Sequence, residues 1–222
     1  MIYLPVSLLL FLLLILLFPF IWIAVALDVV KIAVAKLGFS PTVAFLLFAA
    51  VLVGSTINIP LYKVESVTPV IPDFRDMWLQ QFLGIPLHKV RQKTIVALNV
   101  GGGLIPLLLA IYELTRSDPL AIFWVTLIVT IVSYFSAQIV PGIGIHMNAL
   151  ISPLTAAISA VLIAEPVASS VAFTGGILGT LIGADLLHLK EIERMSAGVL
   201  SIGGAGVFDG IAMCGLFALL LT

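Results

Sequence analysis

Apolar residues fill seven long stretches of this chain, and most polar residues lie between them. A helix that crosses the hydrocarbon core of a bilayer needs about 20 mostly apolar residues. The hydrophobic pattern therefore predicts seven transmembrane helices, numbered here as spans one to seven. They cover residues 6–27, 41–61, 94–114, 120–140, 149–164, 170–189 and 197–221.

These spans predict an all-α fold, a polytopic transmembrane helix bundle that forms one domain over residues 1–222. The first span has no basic residues before it and is longer than the 7–15 apolar residues of a signal peptide, so we expect a retained helix. The fifth span is short and contains Pro153. It either crosses the membrane or forms a re-entrant segment buried among other helices.

Composition excludes a water-soluble fold, because 62 % of the residues are hydrophobic and 9 % are charged. Soluble domains have about 45–50 % apolar and about 25 % charged residues. The net charge of -1 gives no basic surface for nucleic acid, and the one cysteine excludes an internal disulfide. The expected partner is the lipid bilayer, and no cofactor is predicted.

The distribution of Lys and Arg predicts an orientation. Seven crossings place seven of the 10 basic residues in the second and sixth loops and three in the first and third. By the positive-inside rule, the N-terminus and the second and sixth loops are cytoplasmic and the C-terminus is outside, in the cell (inner) membrane. A re-entrant fifth span would give five basic residues on each side, so the bias favours seven crossings.

Two pairs of segments resemble one another. Gly54-Ser-Thr-Ile-Asn-Ile-Pro ends span two, and Gly179-Thr-Leu-Ile-Gly-Ala-Asp ends span six. Asn99-Val-Gly-Gly-Gly begins span three, and Ser201-Ile-Gly-Gly-Ala begins span seven. The preserved order indicates either an internal duplication, with halves 41–114 and 149–221, or a chance likeness between Gly-rich apolar helices.

Two acidic residues, Asp185 and Asp209, lie inside spans six and seven, whereas the other nine lie in loops or at span ends. An Asp at the centre of a membrane helix costs about 2.5–3.5 kcal/mol, and such residues usually face the bundle interior and mark a site. The alternative is a structural acid bonded to a backbone group or a hydroxyl. Two neighbouring carboxylates in a low dielectric share a proton, as in aspartic proteases. Asp185 and Asp209 are therefore the predicted catalytic pair, near the cytoplasmic side.

Four further residues are predicted to contact a substrate. Gly204 and Gly206 leave room beside Asp209, and Asn58 and Asn99 are amides at membrane depth that can bond backbone carbonyls or a substrate. His188 follows Asp185 by three residues, so the two are weak candidates for a metal site or a proton relay. An interfacial histidine is the more frequent case, and no metal is predicted.

The segments Gly183-Ala-Asp185 and Gly204-Ala-Gly206-Val-Phe-Asp209 resemble the motifs of presenilin, signal peptide peptidase and the prepilin and preflagellin peptidases. These are the Gly-x-Gly-Asp intramembrane aspartyl proteases. Two residues separate Gly206 from Asp209 here, and no Pro-Ala-Leu motif follows. The resemblance implies cleavage of a membrane-embedded peptide substrate by the two acids.

A broader resemblance extends over most of the chain. It is carried by Asn99-Val-Gly-Gly-Gly-Leu-Ile-Pro, Val140-Pro-Gly-Ile-Gly-Ile, Gly179-Thr-Leu-Ile-Gly-Ala-Asp and Ser201-Ile-Gly-Gly-Ala-Gly-Val-Phe-Asp-Gly. Together these are similar to a prokaryotic multi-pass membrane family of unknown function, which implies a polytopic inner-membrane protein and supplies no activity. The alternatives to a protease are a proton- or cation-coupled transporter or channel that binds a small ion through the same carboxylates, and a non-catalytic scaffold.

Overall fold

The computed structural model describes residues 6–68, 90–140, 144–191, 198–204, 211, 214–216 and 219–222. Most of these residues are helical. The α-helices are α1 (Val6–Lys36), α2 (Pro41–Gly54), α3 (Ile105–Leu114), α4 (Pro119–Ser136), α5 (Ile151–Ala164) and α6 (Ala168–Thr180). Residues 211, 214–216 and 219–221 are also helical.

Among the described residues, three helical segments are long and apolar enough to cross a membrane: Phe11–Lys36, Pro119–Ser136 and Ile151–Glu191. The apolar side chains of α1 face outward over most of its length, as in Phe11, which is 59 % exposed. A soluble protein rarely exposes such a large apolar surface. The protein is therefore mainly helical, with helices of membrane-spanning length and composition.

The prediction of an all-α fold is confirmed only in part: the described residues are mostly helical, but they also contain five strands. They are β1 (Asn58–Thr68), β2 (Val90–Asn99), β3 (Gln138–Val140), β4 (Gly144–His146) and β5 (Gly198–Ile202). The first, second and fifth form one sheet in the order β1-β2-β5, in which β1 is antiparallel and β5 parallel to β2. The third and fourth form a separate antiparallel pair.

The strands shorten four of the predicted spans, and in span four the helix ends at Ser136 before β3. The helix of span two ends at Gly54, the helices of span three begin after Asn99, and span seven begins with β5. Consecutive β-branched residues explain the difference in span three, because Thr94, Ile95 and Val96 favour an extended backbone.

Side-chain caps fix where α2 begins and ends. The Ser40 hydroxyl accepts a hydrogen bond from the Val43 amide at 3.4 Å, and Pro41 occupies the first helical position, where no amide hydrogen is needed. At the other end, the Ser55 and Thr56 hydroxyls donate to the Leu52 and Val53 carbonyls, each at 2.7 Å. These bonds compete with continuation of the helix, so the chain turns into β1.

Glycines on α6 and its extension allow α4 to approach closely. A methyl group added to Gly175 would lie 2.6 Å from Val125, and one added to Gly179 would lie 2.6 Å from Val129. One added to Gly183 would fall on the Thr130 carbonyl oxygen. Small residues at this contact bring the two helix backbones together, as is usual where lipid gives no hydrophobic driving force. The contact holds the C-terminal end of α6 against α4.

Connections between alternate helices contact one another. Arg116, between α3 and α4, donates through Nη1 to the Leu37 carbonyl between α1 and α2 at 3.3 Å. Ser117 and Ser170 join the same α3–α4 connection to the start of α6, with 2.5 Å between their hydroxyl oxygens. The connections that follow α1, α3 and α5 therefore lie at one end of the bundle.

Candidate functional site

Asp185 is buried, with 4 % of its surface exposed. It lies in a π-helical turn, Leu181–Leu186, that continues α6. Its Oδ2 atom accepts a hydrogen bond from the Gly203 amide at 2.7 Å. π-Helical turns inside longer helices are frequent at functional sites, because the extra residue redirects side chains. Here the redirected chain places a carboxylate against the end of β5.

Gly203 combines two requirements that only glycine meets. Its φ of +68° lies in the left-handed region. A methyl group on it would also lie 2.7 Å from the Gly103 nitrogen and 2.8 Å from the Gly102 carbonyl carbon. The Gly204 amide then donates to the Ser201 carbonyl at 3.0 Å, so the chain turns sharply as β5 ends. This turn directs the Gly203 amide at Asp185.

Asn99 connects three parts of the chain where β2 ends. Its Oδ1 atom accepts from the Gly102 amide at 2.7 Å and caps the π-helical turn Val100–Leu104, which leads into α3. Its Nδ2 atom donates to the Ser55 carbonyl at 2.8 Å and to Asn58 Oδ1 at 3.1 Å. Because Asn99 is 3 % exposed, these bonds replace those that water would otherwise supply.

Asn58 and Ser201 complete the group. Asn58 begins β1 directly opposite Asn99, and the Ser201 hydroxyl on β5 donates to Asn58 Oδ1 at 2.5 Å. The side chains of Asn58, Asn99 and Ser201, together with the Asp185–Gly203 bond, form what we call the strand-end cluster. Four predicted site residues thus lie in one region, since Gly204 follows Gly203 directly.

Backbones cross closely beside the strand-end cluster. A methyl group on Gly54 would lie 2.9 Å from the Gly101 nitrogen, and one on Gly101 would overlap the Val51 carbonyl oxygen and the Ser55 nitrogen. The end of α2, the turn after β2 and the turn after β5 therefore meet without intervening side chains. This crossing fixes the relative positions of the residues in the cluster.

His188 caps a helix end. Its Nδ1 atom is 3.1 Å from the carbonyl oxygens of both Gly183 and Ala184, and its ring stacks on Tyr134 with 4.5 Å between centroids. The ring N–H at Nδ1 donates to these carbonyl oxygens near the end of the π-helical turn. They tie that turn, and with it Asp185, to α4. Among the described residues, no group of three or more His, Cys, Asp and Glu side chains is placed to hold a metal ion.

Two predicted site residues, Asp209 and Gly206, lie outside the described residues. The sequence predictions did not include Ser201 or Gly203 as site residues, although both belong to the Ser201-Ile-Gly-Gly segment. The signal available was the likeness of that segment to Asn99-Val-Gly-Gly. Two strand-to-glycine transitions of the same kind can lie side by side, which brings their polar residues together.

The cluster supports a limited set of chemical roles. A buried carboxylate that accepts one backbone amide can exchange a proton, bind a cation, or act as a general acid or base. The glycines beside it are buried and packed against neighbouring backbone atoms, so they fix the position of the carboxylate. Asn99 uses its side chain within the fold, so it positions the glycine turns, whereas Asn58 is exposed and uses its Oδ1 atom to accept from Asn99 and Ser201.

Comparison with known proteins identifies a family. Residues 52–221 match the model of the family described as "Protein of unknown function (DUF1614)". No curated protein and no solved structure matches the chain, so nothing supports the narrower resemblance to presenilin-type proteases. The predicted resemblance to a family of unknown function is confirmed. Since the match extends over well more than half of the chain, the protein belongs to the DUF1614 family.

Proposed function

We propose that this protein is an intramembrane aspartyl protease in which Asp185 and Asp209 form the catalytic pair. One observation carries the proposal: the buried Asp185 carboxylate accepts a hydrogen bond from Gly203, at the start of the Gly-rich segment that leads to Asp209. The two acids are separated by 23 residues of chain, and within that stretch Gly203 contacts Asp185.

In this mechanism the two carboxyl groups share one proton. The ionised carboxylate accepts a proton from water as the water oxygen attacks the peptide carbonyl carbon. The protonated carboxyl donates to the carbonyl oxygen, which gives a tetrahedral diol. The carboxyl that took the proton from water then donates it to the amine nitrogen as the C–N bond breaks, and the other carboxylate takes a proton back from the diol. Gly203 holds the Asp185 carboxylate in place through its amide, and the exposed Asn58 offers its side-chain Nδ2 group to polar groups of the substrate.

Cleavage of a model transmembrane peptide by the full chain in liposomes tests the proposal. We expect wild type to cleave the peptide, and both Asp185→Asn and Asp209→Asn to reduce cleavage to background, because either change removes the shared proton. Asp28→Asn is the matched control, since the Asp28 side chain is 70 % exposed and pairs with Lys31. Absence of cleavage by wild type, or unchanged cleavage by either variant, would contradict the proposal.

A second candidate function is a proton- or cation-coupled transporter. The observation that favours it is the polar chain of Asn58, Asn99 and Ser201 where helices give way to strand ends. Broken helices of this kind surround the ion sites of many secondary transporters. Flux of protons or cations in the same liposomes, lost in Asp185→Asn and kept in Asp28→Asn, would favour transport. The absence of both cleavage and flux in wild type would favour a scaffold.

We also propose seven crossings of the inner membrane, with a cytoplasmic N-terminus and an external C-terminus. The contacts among the connections after α1, α3 and α5 support alternating crossings. The segment Ile151–Glu191 has 41 residues, or about 61 Å of helix, about twice the hydrocarbon thickness. It breaks at the 3-10 turn Glu165–Val167, and α5 packs against α6, as two antiparallel crossings require.

Single cysteines introduced into a Cys214→Ala background test this orientation in intact cells. Lys63 and Thr115 are both exposed, and the proposed topology places them on opposite sides of the membrane. A membrane-impermeant maleimide added outside should label Thr115→Cys and leave Lys63→Cys unlabelled until the cells are permeabilised. Labelling of Lys63→Cys from outside would contradict the proposed orientation and place the second loop outside the cell.

A further inference from the structure

A cavity of about 260 Å³ lies between α1, α2, α3, α6 and the C-terminal helical residues, and Gly101 and Gly102, beside the strand-end cluster, line one part of it. All of its lining residues are apolar or glycine, among them Val34, Phe48, Leu109 and Ile177. A cavity without polar partners does not hold ordered water or an ion. Its occupant therefore has to present hydrocarbon.

One end of the cavity lies beside a cation. Leu37 and Phe39 line the cavity where α1 connects to α2, and the Leu37 carbonyl accepts from Arg116 Nη1 at 3.3 Å. Phe39 stacks on Tyr112 with 5.4 Å between centroids, and the Arg116 guanidinium lies 5.3 Å from the centroid of the same Tyr112 ring. The aromatic pair thus connects the apolar cavity to the guanidinium.

Arg116 keeps part of its binding capacity. Its side chain is 47 % exposed, and its ion pair with Glu113 is long, at 3.6 Å. Glu113 is almost fully buried, and its Oε1 atom makes no hydrogen bond among the described residues. Among those residues, the hydrogen bonds of the guanidinium use Nη1 alone. The remaining N–H groups can therefore donate to a phosphate, which arginine binds in a forked geometry.

We infer that the cavity and Arg116 form a binding site for an anionic phospholipid, with one acyl chain in the cavity and the phosphate at Arg116. Apolar walls match the chain, and the guanidinium at the Leu37 end matches the charge of the headgroup. The bilayer supplies such a molecule at high local concentration on either leaflet. The site does not depend on the proposed proteolytic activity, because it uses neither Asp185 nor Asp209.

The test uses phosphatidylglycerol with a photoreactive diazirine in one acyl chain, added to the full chain in nanodiscs. We expect crosslinks to concentrate on the cavity-lining parts of α1 and α2. Unlabelled phosphatidylglycerol should compete more strongly than phosphatidylcholine. Arg116→Gln should weaken the competition by phosphatidylglycerol about fivefold, the loss expected for one cation at a membrane surface, while Lys63→Gln should leave it unchanged.

A pair of substitutions on one helix tests the acyl-chain part of the site. Ala44 lines the cavity and is fully buried, whereas Ala50 on the same helix is exposed. Ala44→Phe should fill the cavity and reduce crosslinking at least fivefold, and Ala50→Phe should not. The inference is overturned by crosslinks spread evenly along the exposed face of α1, by equal competition from the two lipids, or by equal crosslinking of the two alanine variants.

Discussion

Asp185→Asn should leave the protein as stable as wild type or slightly more stable, whereas Asp185→Ala should lower its stability by about 1–3 kcal/mol. The asparagine Oδ1 atom can accept the same hydrogen bond that the carboxylate accepts from Gly203 at 2.7 Å. It also removes the cost of burying a charge in the membrane. Alanine leaves the Gly203 amide without a partner beside a closely packed backbone.

Thermal unfolding of the purified variants in detergent measures this difference, with cleavage or flux assayed on the same samples. Both substitutions should remove activity. Asp185→Asn should therefore lose activity while it keeps its melting temperature. Asp28→Asn and Asp28→Ala form the control pair, and they should not differ from each other by more than the small amounts typical of surface sites. Strong destabilisation by Asp185→Asn would show that the fold needs the negative charge itself, and would favour a structural acid.

Among the Gly→Ala substitutions in the described part of the chain, Gly101→Ala should lower stability the most. The added carbon would overlap the Val51 carbonyl oxygen and the Ser55 nitrogen, which are backbone atoms that no rotamer change can move. Relief requires separating α2 from the turn after β2. We therefore expect a loss of more than about 3 kcal/mol, above the usual cost of overpacking, or failure to accumulate in the membrane.

Gly103→Ala is the matched control, because it lies in the same glycine run. The nearest atom to its added methyl group is the end of the flexible Leu98 side chain at 2.7 Å, and the Ile202 carbonyl oxygen is at 3.2 Å. Rotation of Leu98 can relieve the contact, so the loss should stay near 1 kcal/mol. Equal melting temperatures for the two variants would contradict the close backbone crossing.

The sequence was sufficient to single out three polar residues of the strand-end cluster because intramembrane polar groups are costly. Asp185, Asn58 and Asn99 stand out against an apolar background, and all three lie in the strand-end cluster. Their partners were harder to predict. The Gly203 amide carries no side-chain signature, and Ser201 differs from other serines only through its pairing in the sheet.

The sequence did not predict the strands, because in a chain this apolar a strand lacks the usual alternation of apolar and polar residues. In β2 the residues Ile95, Val96 and Ala97 form a continuous apolar run, which a buried strand and a membrane helix share. The strands that lead into the two similar Gly-rich segments pair in parallel, with Ala97 opposite Ser201. In the sequence likeness, by contrast, Asn99 corresponds to Ser201. The two residues are not paired in the sheet, and a duplication of the halves stays a prediction.

The parallel pairing of β2 with β5 has a consequence for how the chain matures during synthesis. Thr94 pairs with Gly198, and four α-helices separate the two strands along the chain. Ribosomes deliver β2 early. The edge of β2 that pairs with β5, and the Asp185 carboxylate that binds Gly203, have no partner until β5 and Gly203 are synthesised. Such long-range contacts form late and slowly. A nascent chain that stalls before Gly198 therefore leaves the Asp185 carboxylate without the Gly203 amide that binds it in the completed fold.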